Sequence, residues 1–61
     1  MLIQPGVRVK VIYPPYAAGE IGVVLTRETL ADGTLTAYWL VKLDNKDVIL
    51  ALLPQDMENL N

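Results

Sequence analysis

The sequence predicts an all-β fold, one small five-stranded barrel over residues 1–61 with a short 3-10 turn before its last strand. Three observations lead there. Residues 7–13 alternate apolar and basic side chains, the period of two that marks a half-buried strand. Asp32-Gly33 lies between two apolar stretches and signals a hairpin, because a tight turn needs positive φ. Pro54 interrupts residues 46–60, the one stretch whose Leu, Ala and Met content favours a rival helix.

Each element has its own local reason. In the first strand Val7, Val9 and Val11 face the core while Arg8 and Lys10 face outward, and Pro5-Gly6 before it is a turn signal. Pro14-Pro15 removes two backbone donors, so residues 14–20 read as an extended loop. Gly19 and Gly22 bracket the entry to a second strand over 22–27, where glycine serves a bulge, a bend or a close backbone approach. The hairpin tip falls at 31–34. Aromatic and branched residues over 37–43 make the third strand. Asp44-Asn45-Lys46-Asp47 is a polar turn, and 48–52 is the fourth strand. Pro54-Gln55-Asp56-Met57 has room for a single 3-10 turn, and Glu58-Asn59-Leu60 for a short closing strand. Strands in this order at this size favour a closed barrel, since closure removes exposed edges.

A chain of 61 residues makes one domain, with a thin core. There is no cysteine for a disulfide and no histidine, and zinc sites favour those two ligands. The apolar fraction is 52%, against about 45–50% in typical soluble domains. Either a well-packed core absorbs that surplus, or part of it forms a contact face. The longest apolar run, residues 48–53, is far shorter than the roughly 20 residues of a membrane helix. The first residues carry no charged leader followed by an apolar run, so the expected location is cytoplasmic, without membrane insertion. Five basic and seven acidic residues count against binding bare nucleic acid.

Chemistry has little to work with. The chain lacks Cys, His and Ser, which removes the usual nucleophile–base pairs. Asp44 and Asp47 flank a turn, where carboxylates cap the backbone, and so small a fold has little volume for a cleft between paired acids. The Asp44-Asn45-Lys46-Asp47 run has no glycine and an intruding lysine, unlike a calcium loop. Gly19-Glu20-Ile21-Gly22 lacks phosphate-loop spacing and holds an acid. The sequence therefore predicts no enzyme, no cofactor and no metal.

Two groups of residues are candidate binding surfaces. Tyr13, Tyr16, Tyr38 and Trp39, with Pro14 and Pro15, are the residue types of an aromatic groove for proline-rich peptides. The competing reading packs Trp39 on the core and the tyrosines on the loop. Arg8, Lys10 and Lys42 would form a basic face, with Asp32, Asp44, Asp47, Asp56 and Glu58 gathered elsewhere. The competing reading makes these ordinary solvated positions. A third hint is the unbroken apolar run 48–53, which suggests a strand covered on both faces. The second face would meet the C-terminal segment, another copy or a larger complex.

Four short motifs carry a resemblance: Pro5-Gly6-Val7-Arg8-Val9, Gly19-Glu20-Ile21-Gly22-Val23-Val24, Trp39-Leu40-Val41-Lys42-Leu43 and Leu53-Pro54-Gln55-Asp56-Met57-Glu58. Their order resembles SH3-like barrels of the KOW and cyanobacterial photosynthetic accessory type, such as the small SH3-like accessory proteins of photosystem I. The chain departs from that photosystem family at residues 14–18. The resemblance implies a small barrel and a habit of docking on larger complexes, and it carries over no site residue. The expected function is a non-catalytic protein-interaction module or accessory component of a larger complex. The alternatives are a KOW-like nucleic-acid or ribosome-associated module and an adaptor for proline-rich peptides.

Overall fold

Alternation becomes a strand at Arg8–Val11 (β1) in the computed structural model, which describes residues 2–61. The other strands are Ile21–Thr29 (β2), Leu35–Leu43 (β3), Ile49–Leu52 (β4) and Met57–Asn59 (β5). Two 3-10 turns, Pro15–Ala17 (η1) and Pro54–Asp56 (η2), complete the described chain. The fold is all-β: one antiparallel sheet in the order β4-β3-β2-β1-β5, with η2 directly before the last strand.

The core follows from the predicted register. Val7, Val9 and Val11 are buried, while Arg8 and Lys10 are exposed. Val24, Val41, Leu43, Leu50, Leu52 and Met57 join them, with Ile3 and Ala17 closing the ends. Leu50 and Leu52 lie at one edge of the sheet and Met57 at the other, yet all belong to one cluster. Only a strongly coiled sheet brings its two edge strands onto one core. No polar or charged side chain is buried among the described residues, so the core is held by packing alone.

The barrel does not close. β4 and β5 are the two ends of the sheet and do not pair. The cause is local. Leu53 leaves the ladder into η2, and Pro54 has no N–H to extend it. The Asp56 carbonyl instead accepts the N–H groups of Ile12 and Tyr13, at 2.8 and 3.3 Å.

Residues 14–20 are more ordered than an extended loop. The N–H of Ala17 reaches the Pro14 carbonyl at 3.0 Å, and that of Ala18 reaches Pro15 at 3.3 Å. A 3-10 turn needs few donors, and proline at its first position already has the required φ. The turn buries Ala17.

β2 and β3 run longer than expected at the hairpin end. Register shifts between Val24 and Thr26, and between Arg27 and Thr29, carry β2 past the point where simple alternation stops. From Leu25 to Tyr38 the two strands pair only with each other, since β1 meets β2 at residues 21–23 and β4 meets β3 at 39–42. The tip is the predicted one. Gly33 has φ of 88°, and the N–H of Leu30 donates to the Thr34 carbonyl at 2.8 Å. Hydrogen bonds from Thr34, from its side chain and then its backbone N–H, hold the Asp32 carboxyl below the ordinary carboxylate range.

Side-chain amides tie the C-terminal strand to the sheet. Asn61 Oδ1 accepts the Arg8 N–H at 2.8 Å, Asn59 Oδ1 accepts the Asn61 N–H at 2.8 Å, and Asn59 Nδ2 donates to the Leu2 carbonyl at 3.0 Å.

Candidate interaction surfaces

The described residues form no pocket and contain no group of three or more His, Cys, Asp or Glu placed to hold a metal ion. No helix among the described residues is long and apolar enough to cross a membrane. What the molecule presents is surface. Among the described residues eleven large apolar side chains stand exposed, as many as the eleven apolar residues of the core. Single exposed apolar residues are ordinary, so the question is which of them adjoin.

The basic candidates do share a face. Cα pairing sets Arg8 opposite Val23, Val23 opposite Lys42, and Lys42 opposite Ile49, a row across four strands on the outer side of the sheet. Lys10 lies two residues along β1 on the same side. The expected separation of charge does not occur, because the Asp44 N–H donates to the Ile21 carbonyl at 3.0 Å and Ile21 lies opposite Lys10, so the 44–47 turn stands one strand from β1. Arg8 Nη2 donates to Asp44 Oδ2 at 2.6 Å. Lys46 pairs with Glu20, and Lys10 lies opposite Glu58. Lys42 Nζ is turned onto the carbonyls of Lys46 at 2.8 Å and Leu43 at 3.2 Å. The row is thus a neutralised mixture of charges.

The Arg8–Asp44 pair is solvent-exposed on both sides, at 52% and 31%. Exposed pairs contribute about 0–1 kcal/mol. Arg8→Ala is expected to lower the unfolding free energy by less than about 1 kcal/mol in urea titration, with the slope unchanged.

The aromatic candidates are dispersed over the molecule. Tyr13 and Tyr16 flank the start of η1 and are exposed at 58% and 78%. Tyr38 and Trp39 are consecutive on β3, so their side chains take opposite faces. Tyr38 stands outward. Trp39 packs against the core, and the Arg27 guanidinium lies 6.0 Å from its ring centroid. No ring–ring contact joins the four aromatics among the described residues. Trp39 thus follows the packing reading, and the two loop tyrosines remain exposed.

The apolar run 48–53 is the clearest departure. β4 is covered on one face only: Leu50 and Leu52 are buried, while Ile49 and Ala51 are exposed. The C-terminal segment cannot supply the missing cover, because β5 pairs with β1 at the far edge. Ala51 lies opposite Leu40, and Tyr38 is two residues along β3 from Leu40. Tyr38, Leu40, Ile49 and Ala51 therefore make a continuous outer patch. The run itself was its only signal in the sequence. Arg27 over Trp39 was not foreseeable, because the bulge at Leu25 resets which side of β2 faces inward.

The chain was compared with family models, curated proteins and solved structures, and it matches none of them.

Proposed function

We propose that this chain is a non-catalytic protein-interaction module, a small component that docks on a larger assembly in the manner of SH3-like accessory proteins. The observation that carries this reading is the apolar patch of Tyr38, Leu40, Ile49 and Ala51 on the outer side of β3 and β4, which no other part of the described chain covers. Lys42 supports it, because its ammonium is turned onto the carbonyls of 43 and 46. An apolar patch without a cleft suits a flat protein partner better than a small substrate. The absence of Cys, His and Ser agrees with a role that makes and breaks no bonds.

The test is affinity capture from the native cell at two salt concentrations, comparing the wild type with Tyr38→Glu. A charge within an apolar contact is expected to reduce the recovered partner by about tenfold or more. Tyr38 is exposed, so circular dichroism should stay unchanged. Partners recovered equally by both proteins would rule out this patch as the docking surface.

A further inference from the structure

We infer that β4 is a self-recognition edge, through which two copies of this chain join their sheets antiparallel about a two-fold axis. The inference rests on the proposed role as a protein-binding module and specifies the partner of one edge.

The argument begins with the backbone. β4 pairs only with β3. At the start of that ladder the Leu43 N–H donates to the Val48 carbonyl at 3.0 Å. Hydrogen-bonded and non-bonded pairs alternate along an antiparallel ladder, so Val48, Leu50 and Leu52 direct their polar groups at β3. Ile49 and Ala51 direct theirs to the open side, where no turn or loop among the described residues reaches them. An open row of donors and acceptors is a template on which another extended strand can pair.

The side chains specify which strand. Edge strands are usually protected by charge, proline or a bulge, and β4, Ile-Leu-Ala-Leu, has none of them. Under a two-fold axis centred on Leu50, Ile49 of one copy faces Ala51 of the other and Leu50 faces its twin. The bonded pairs are then Ile49 with Ala51, the residues whose polar groups are free. Core-side leucines continue the core, and outer-side Ile49 and Ala51 continue the apolar patch, so no charge falls within the four paired residues; Asp47 comes opposite Leu53 only beyond the end of β4. The opposite edge, β5, is shorter and carries Glu58, which makes a β4–β5 contact a poorer match. A four-residue edge covers less than the ~800 Å² per partner of a standard interface, so the dimer is expected to be weak, with a Kd at or below about 1 mM.

Sedimentation equilibrium of the purified full chain tests this, with Ile49→Pro as the decisive variant. Ile49 opens β4 and its N–H faces away from β3, so proline there leaves the internal ladder intact while blocking the new one. Wild type should self-associate, and Ile49→Pro should weaken association by about tenfold or more with an unchanged circular dichroism spectrum. Ala51→Lys, at an exposed position, should do the same and serves if the proline variant does not fold. Amide exchange at Ile49 and Ala51 should slow as concentration rises. A wild type still monomeric near 1 mM, a dimer that survives both substitutions, or slowing confined to β5 or the 25–38 hairpin would each overturn the inference. A monomer that still captures a partner from the cell overturns self-pairing and leaves the module reading intact. An Ile49-dependent dimer that captures no other protein does the reverse.

Discussion

Val9→Asp is expected to leave the chain unfolded at 25 °C. Val9 is fully buried, at 0% exposure, and lies between Gly22 of β2 and Asn59 of β5. No buried polar side chain is present among the described residues to receive a carboxylate. An isolated charge there must either ionise in an apolar setting or stay protonated without partners, at a cost of several kcal/mol. Domains of this size hold a margin of only about 3–9 kcal/mol. The measurement is circular dichroism with a thermal scan. The wild type should show a cooperative transition, and the variant little or none. Its neighbour Arg8, facing the other way, should tolerate alanine. Equal losses at both positions would contradict the register of β1.

Gly22→Ala is expected to cost about 2–3 kcal/mol, at the upper end for overpacking. Gly22 has an ordinary extended backbone, so the reason is space. A Cβ there would sit 2.6 Å from the Lys42 carbonyl oxygen and 2.9 Å from Val41 Cγ1. A side-chain methyl can rotate away, but a backbone oxygen held in the β2–β3 ladder cannot. The strands must part where Val24 and Val41 pack, and that is the centre of the core. Urea titration should show a lower midpoint with little change in slope. A loss below about 0.5 kcal/mol, the range of neutral surface changes, would mean the strands yield easily there.

These two sites also mark what the sequence could disclose. Val7-Arg8-Val9-Lys10-Val11 names its own register because alternation acts between adjacent residues. Asp32-Gly33 names its turn because positive φ is a local demand. Gly22 left a bulge, a bend or a close approach open, and the close approach it makes is to Lys42 across the sheet in β3. Features set by strand order and register were not legible. Arg8 meets Asp44 because Asp44 lies opposite Ile21 of β2 and β1 lies on the other side of β2, and no local pattern links positions 36 residues apart. The free edge of β4 arises because Pro54 turns the chain before β5, so a run that reads as covered on both sides is covered on one. The loop tyrosines and Trp39 looked like one group because the composition of a groove is visible in sequence and its geometry is not. Tyr38 and Trp39 show the difference, being adjacent in the chain and on opposite faces of the strand.

The two-stranded reach of the β2–β3 hairpin, from Leu25 to Tyr38, has a consequence for motion. Three anchors serve it: the Arg27 Nε bond to the Thr36 carbonyl at 2.6 Å, the Thr36 hydroxyl on Glu28 at 3.0 Å, and the guanidinium over Trp39. All three lie within the hairpin or at its root, and none connects its tip to the rest of the sheet. A ladder of two strands without a third is marginal in water by itself. The molecule is therefore mechanically graded, with a stiff body around Val9, Val41 and Met57 and a compliant limb that opens far more often than the whole unfolds. Leu25, Leu30 and Leu35 ride on that limb, exposed, so hydrogen exchange is expected to be faster along it than in β1 and β4.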